Sequence, residues 1–365
     1  MNRKIMNRQI MNRQIMNKQM LIGAVITAGI VSGVAAFNVQ AQSKTVNLFI
    51  WSEYIDSGII KEFEKANGIK VNASFYESNE DMLAKLEAGG SKQYDVIVPS
   101  SYIVPVLVKK NLVQALDLSK IPNWKNLGSS FKNPNFDPGN KFSLGYLFSL
   151  TGITYRKDKI KNPENSWALM FDAKKQPGPF VMLDDSRSMI GIALKFLGKP
   201  YNGVNKDDLK AAIVVLQDAK RRSLGFTGSP EGKNKVLSKQ ALMAVTYNNE
   251  AVRGMAEDPN IGFLIPKEGS EIALDNMMIP NGAPNSANAH KFLNFFLDAK
   301  VAARNATSVA ASTPNEAAKA FISKADRENP VIYPTAAVLK TLEYAQDLGA
   351  NLKLHDAAWT KIKAK

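Results

Sequence analysis

Apolar positions follow two alternating patterns from Thr45 onward. Short continuous runs, such as residues 46–50, have the length and composition of β-strands, whereas the spacing of Ile59, Phe63 and Ala66 places them on one face of a helix that Gly68 ends. Such alternation of strand and helix predicts parallel or mixed sheets flanked by helices, an α/β fold.

The pattern occurs in two series, which predicts two lobes. Predicted strands occupy residues 46–50, 69–75, 94–98, 180–183, 242–247, 261–266 and 272–280. Predicted helices occupy residues 59–66, 78–88, 188–196, 208–222, 250–256, 288–306 and 336–362. We expect an N-terminal lobe of residues 42–148 plus 272–319 and a C-terminal lobe of 149–271 plus 320–365, with crossings near 145–152 and 266–270.

Residues 1–41 have the pattern of a secretory signal peptide. A basic region without acidic residues precedes an apolar stretch at 21–37, and the small residues around Ala41 offer a cleavage site. The apolar stretch is short and interrupted by glycine for a membrane span, so an uncleaved anchor is the less favoured alternative. We expect cleavage after Ala41 and export to the periplasm.

Composition narrows the function classes. The 365 residues are 45% hydrophobic and contain no cysteine, which excludes disulfides, a thiol nucleophile and a lipoprotein anchor. The net charge is +14, and five positive charges precede residue 42, which leaves +9. Apart from Lys220-Arg221-Arg222 the basic residues are dispersed, and with export this argues against a nucleic-acid partner. In a basic chain, a site for a cation must be made acidic locally.

Ligands of open α/β sheets bind beyond the carboxyl ends of the strands. The side chains found there are aromatic rings, hydroxyls and carboxylates: Trp51, Ser52, Glu53, Tyr54, Ser100, Tyr102, Asp184, Asp185, Tyr247, Glu250 and Asp275. A polyamine needs carboxylates at its ammonium groups and flat apolar walls along its methylenes, and aromatic rings also attract cations.

Each candidate also has a structural interpretation. Trp51 and Tyr54 could cover the edge of a core, Asp184 or Asp185 could cap the following helix, and Glu250 could stabilise a helix N-terminus. Asp275 is harder to explain in this way, because it interrupts an apolar run where an unpaired charge is costly.

The sequence does not favour an enzyme. His290 and His355 lie in separate helical stretches, so no histidine-pair metal motif is present. The glycine-rich passage at 228–233 has the wrong spacing for a phosphate-binding loop. We expect no catalysis and no cofactor, and retain a secreted hydrolase only as a remote alternative.

The chain resembles the periplasmic spermidine/putrescine-binding proteins of polyamine ABC transporters from about Val46 to Lys365. The segments that carry the resemblance are 49–54, 75–80, 94–102, 183–187 and 312–315. The resemblance implies a two-lobed periplasmic solute-binding fold that closes at a hinge around its ligand. It also implies a monomer that delivers a polyamine to an inner-membrane ABC permease and its ATPase.

Residue roles follow from the same resemblance. Trp51 and Tyr54 would stack on the methylene chain, Ser52 and Glu53 would bind a terminal amine, and Ser100 and Tyr102 would line the same wall. From the other lobe, Asp185 would accept an ammonium group and Tyr247 would stand where the family usually has tryptophan. Glu250 matches an acidic position of putrescine-preferring relatives, and Asp275 matches the principal amine-binding aspartate.

Four positions depart from the family pattern: Ser188 for glutamate, Ala273 for tryptophan, Ala311 for tyrosine, and Ala345 for a polar ligand residue. The resemblance therefore leaves the preferred polyamine open. Another small cationic solute, or a role as a polyamine sensor for a membrane receptor, remain alternatives.

Overall fold

A computed structural model describes residues 44–52, 54–76 and 78–364. Its ten strands within these ranges are β1 Thr45–Trp51, β2 Lys70–Tyr76, β3 Val96–Ile97, β4 Leu144–Arg156, β5 Phe180–Leu183, β6 Phe226–Thr227, β7 Met243–Tyr247, β8 Ile261–Leu264, β9 Ser270–Met277 and β10 Leu342–Glu343. The α-helices of the same ranges are Ser57–Asn67, Asn79–Glu87, Val104–Lys109, Ala168–Phe171, Ser186–Phe196, Lys206–Arg222, Ser229–Leu237, Asn248–Glu257, Ser286–Phe296, Ala299–Ser308, Lys324–Arg327, Ala336–Leu339 and Leu352–Lys363. None of these helices combines the length and the apolar character needed to cross a bilayer. The predicted signal peptide lies outside the described residues.

The strands form two sheets flanked by helices, which confirms the predicted α/β class. The first sheet has the parallel order β2-β1-β3. The second has the order β10-β9-β4-β7-β5-β6, with β8 also paired to β4, and it is mixed because β4 runs antiparallel to β7, β8 and β9.

Strand β9 and the residues just after it join the two sheets. Ile97 in β3 and Met278 exchange backbone hydrogen bonds of 3.0 and 2.9 Å, and a further bridge pairs Ser100 with Asp275. Side chains carried by β9 are therefore held against the loop that follows the first sheet.

Two large apolar cores lie on either side of this junction. One contains residues from 46–147 and 277–311, including the fully buried Leu48 and Phe63. The other contains residues from 153–245 and 345–362, including the fully buried Trp167 and Phe180. The exact lobe boundaries stay a prediction.

Two predicted helices differ from the structure. The helix expected at 288–306 is two helices, because Asp298 caps a new one by accepting the backbone N–H groups of Lys300 and Val301. The single helix expected at 336–362 is instead two helices with strand β10 between them. The candidate lobe crossing at 145–152 lies inside β4, a continuous strand of 13 residues, and stays a prediction.

Candidate functional site

A cavity of about 400 Å³ lies beyond the carboxyl ends of β1, β3, β5 and β7. We call it the central cavity. Its lining residues are Trp51, Ser78, Asn79, Glu80, Ser100, Ser101, Tyr102, Asp184, Asp185, Tyr247, Glu271, Ala273 and Ala345. The first sheet and the loops after it supply one wall, and the second sheet supplies the other, so the cavity draws on both sheets.

Trp51 forms a fixed aromatic wall. Its indole N–H donates to the carbonyl of Val98 at 2.9 Å, and its ring lies 4.6 Å from the ring of Tyr76. The Tyr76 hydroxyl donates to the same carbonyl at 2.6 Å. Because these contacts orient the indole, its face is available as a flat apolar surface without further ordering cost.

Asp275 is buried next to the cavity and is held by two hydroxyl groups. Ser100 Oγ donates to Oδ1 at 2.6 Å, and the Tyr54 hydroxyl donates to Oδ2 at 2.7 Å. Burial raises the pKa of Asp275 to about 6, although both hydrogen bonds act in the opposite direction. A carboxylate has about four acceptor positions, so this one can accept additional donors.

A second polar chain lies along the same wall. The Asn79 side chain donates to the Tyr102 hydroxyl at 3.0 Å, and that hydroxyl donates to Glu80 at 3.1 Å. Asn79 also accepts the backbone N–H of Ser100 at 3.2 Å. Tyr102 packs against one apolar cluster from the first sheet and one from the second. Its ring therefore lies where the two sheets meet.

The opposite wall is built on the N-terminus of the helix Ser186–Phe196. Asp185 caps this helix by accepting the backbone N–H of Ser188 at 2.9 Å, which confirms the predicted cap. Its other oxygen accepts the Tyr247 hydroxyl at 3.1 Å. The carboxylate therefore has a fixed position in the cavity.

Glu271 is a second acid on this wall and is buried, whereas Asp185 is half-buried; sequence reasoning missed Glu271. Its Oε2 accepts the hydroxyl of Ser188 and, at 3.2 Å, that of Thr151. Burial, and then the nearby charge of Asp185, raise the pKa of Glu271 to about 7. The signal was present in the sequence, because Glu271, Ala273 and Asp275 follow the two-residue period that places strand residues on one face.

The lining is acidic although the chain is basic. Glu80, Asp184, Asp185 and Glu271 line the cavity, and none of its lining residues in the described chain is basic. Asp184 pairs with Lys363 at 2.9 Å. The cavity thus has the local negative charge that a cation site in a basic protein requires.

The structure brings most of the predicted site residues together. Five line the cavity: Trp51, Ser100, Tyr102, Asp185 and Tyr247. Tyr54 and Asp275 are joined to it through the hydrogen bond of Ser100.

Two predicted residues, Ser52 and Glu250, lie outside the cavity lining, and a third cannot be compared. Ser52 is exposed and outside the lining, and Glu53 lies outside the described residues. Glu250 is buried elsewhere, where Arg253 donates to its carboxylate at 2.7 Å. Because it lies in the first turn of the helix Asn248–Glu257, its position fits the helix-stabilising interpretation.

Comparison with known protein families identifies the family to which this fold and cavity belong. The family described as bacterial extracellular solute-binding protein matches residues 58–330. The chain belongs to the bacterial extracellular solute-binding protein family.

Relatives of this solute-binding protein cover nearly all of the chain. It is 33% identical to spermidine/putrescine-binding periplasmic protein 1 of Haemophilus influenzae, over 89% of this chain and 90% of the relative. It is 31% identical to the putrescine/cadaverine-binding protein of Pseudomonas aeruginosa, over 94% and 98%. A crystal structure of a spermidine/putrescine ABC transporter substrate-binding protein from Streptococcus pneumoniae superimposes with a TM-score of 0.80 at 28% identity, over 87% and 98%.

Proposed function

We propose that this solute-binding protein captures a polyamine in the central cavity and delivers it to an ABC permease with its ATPase. The observation that carries the proposal is the pairing of a fixed aromatic wall at Trp51 with the buried carboxylate of Asp275 and the half-buried carboxylate of Asp185. Relatives at 31–33% identity whose names include spermidine, putrescine or cadaverine support it.

The chemistry matches an aliphatic cation. Buried carboxylates form charge-assisted hydrogen bonds with ammonium groups, and the rings of Trp51 and Tyr102 provide apolar faces for methylenes, with about 0.5–2 kcal/mol for each cation–π contact. A few such interactions are sufficient for a dissociation constant in the micromolar range, about −8 kcal/mol. The periplasm is the proposed location, in agreement with the predicted signal peptide and with relatives named as periplasmic proteins.

The two cores on either side of β9 are proposed to be lobes that close on the ligand, with boundaries as predicted from the sequence. Asp275, Ser100 and Tyr54 would then belong to one lobe, and Asp185 and Tyr247 to the other. A cation between them would link the two, which couples binding to closure. Glu250 is left out of the proposed ligand contacts because Arg253 already neutralises it.

Calorimetric titration of the dialysed protein tests the proposal. Putrescine, spermidine and spermine are compared with 1,4-butanediol, an uncharged analogue of putrescine. We expect saturable heat with at least one amine and none with the diol, because the carboxylates recognise the ammonium groups. Absence of heat with all three amines, or equal heat with the diol, would contradict polyamine binding.

A further inference from the structure

Glu271 gives the central cavity a feature that the sequence motifs did not predict. It lies on β9 four residues before Asp275, and the two-residue period of the strand places both on the same face. A rise of about 3.4 Å per residue puts their backbones about 13 Å apart. The cavity therefore has buried carboxylates at two separated positions along one strand.

The hydrogen bonds around Glu271 connect it with Asp185. Ser188 is shared, because its hydroxyl donates to Glu271 and its backbone N–H donates to Asp185. The Tyr247 hydroxyl holds the second oxygen of Asp185. Two carboxylates are thus fixed side by side at this end of the cavity.

No salt bridge of this acidic pair occurs in the part of the chain that the structure describes. Within residues 44–52, 54–76 and 78–364, neither Asp185 nor Glu271 forms a salt bridge, whereas the neighbouring Asp184 pairs with Lys363. The two adjacent carboxylates repel each other, and the buried Glu271 is also costly to desolvate, so a cation bound between them would relieve both costs.

Small side chains leave the path to the pair open. Ala273 lies between Glu271 and Asp275 on the same strand face, and Ala345 lines the cavity beside them. Larger side chains at these positions would fill part of the space that leads to Glu271. The cavity is therefore extended toward the acidic pair.

We propose that Glu271 and Asp185 form a second ammonium subsite, about 13 Å along β9 from Asp275, and that the cavity therefore selects cations long enough to reach both ends. The proposal rests on the proposed function and adds a specificity-determining role for Glu271. A triamine such as spermidine reaches further from Asp275 than the four-carbon diamine putrescine, so Glu271 favours the longer ligand.

The test is calorimetric titration of wild-type protein and Glu271→Gln with spermidine and putrescine. Glu343→Gln is the matched control, because Glu343 is the cross-strand partner of Glu271 on β10 but pairs with Lys195 at 2.8 Å outside the cavity lining. Melting temperatures of the ligand-free proteins report whether each variant folds.

We expect Glu271→Gln to weaken spermidine binding on the order of 30-fold or more and putrescine binding much less, since a buried charge pair is lost only for the longer ligand. Glu343→Gln should bind both as wild type does. Unchanged spermidine affinity in Glu271→Gln, or equal losses for both amines, would overturn the second subsite. Absence of binding to either amine by the wild type would instead overturn the proposed function.

Discussion

The two ends of the central cavity present buried carboxylates in different ways. At one end, Asp275 stands alone and is held by the hydroxyl groups of Tyr54 and Ser100. At the other, Asp185 and Glu271 are adjacent and share Ser188 as a donor. A single acid with two neutral donors is arranged to bind one ammonium group, whereas an adjacent pair holds a surplus of negative charge.

Charge also differs between the ends. Burial alone explains the raised pKa of Asp275, whereas the charge of Asp185 adds to burial in raising the pKa of Glu271. The difference shows that a binding site can gain negative charge from an acid on a neighbouring strand when the position where the family has an acid holds another residue. Ser188 stands where the resemblance implies glutamate, and its hydroxyl contacts a glutamate that comes from another strand.

The largest expected effect comes from removing the single acid. Asp275→Asn should weaken polyamine binding roughly 100-fold, because the ligand's ammonium group loses a buried, hydrogen-bonded charge partner. The matched control is Asp356→Asn, which changes an exposed aspartate of the helix Leu352–Lys363. Titration calorimetry measures both, and a loss below threefold in Asp275→Asn would contradict the role of Asp275.

The substitution Asp275→Asn also tests whether Asp275 serves ligand binding or the stability of the fold. The folded-state pKa of about 6 for Asp275 lies above its ordinary value of about 3.9, so the folded protein binds more protons between these pH values. Stability of the ligand-free protein therefore falls as pH rises through this window, and the penalty above pH 6 is about 3 kcal/mol. Asp275→Asn should not lower the melting temperature at pH 8, and a large decrease there would show a mainly structural role.

Acidification should weaken both ends of the site. Polyamines stay protonated below pH 8, whereas the two carboxylates with raised pKa values, Asp275 near 6 and Glu271 near 7, lose charge as pH falls. We expect spermidine affinity to decrease at least tenfold from pH 8 to pH 5. Binding curves across this range check it, and Glu271→Gln should flatten the dependence between pH 8 and 6. An affinity that does not change with pH would contradict ionised carboxylates as ligands.

A smaller effect is expected from a substitution that removes a hydrogen bond to Asp185 and leaves both carboxylates in place. Tyr247→Phe deletes the hydroxyl that holds Asp185 and should weaken binding about fivefold, the equivalent of one ordinary hydrogen bond. Tyr155→Phe is a suitable control, because Tyr155 lies on the paired strand β4 and outside the cavity lining. Equal affinities of the two variants would show that Asp185 needs no positioning by Tyr247.

The smallest expected signal is a change of shape. If a cation links the lobes, ligand-free protein should populate more open forms than the complex, so spermidine should reduce the radius of gyration slightly. Small-angle scattering with and without spermidine measures this. Identical profiles would argue against closure as part of binding.

Much of the fold could be predicted from local patterns, because strands such as β5 are continuous apolar runs and several helices have clear boundaries. Gly68, for example, ends its helix in a left-handed conformation at φ 62°. The division of the predicted long helix at Asp298 was missed because apolar periodicity continues across the new cap. Strand β10 has two residues, too few for a periodic signal.

The site could be predicted where acids and rings directly follow strands. Trp51 and Tyr247 end strands β1 and β7, and Asp185 lies two residues after β5. Glu271 does not, because it lies at the start of β9; the two-residue period that it shares with Asp275 was the available sequence signal, and its contacts with Ser188 and Thr151 show where its carboxylate is held. Glu250 also lies shortly after a strand, yet its carboxylate pairs with Arg253 instead of lining the cavity. Position after a strand was therefore not sufficient to predict which side chains face the cavity.

The most direct measurement is a crystal structure of the protein with bound spermidine. The account predicts one terminal ammonium group within about 3 Å of Asp275, the other within the same distance of Glu271 or Asp185, and the methylene chain against Trp51. A spermidine molecule bound outside the central cavity, or one that contacts none of these three carboxylates, would contradict it.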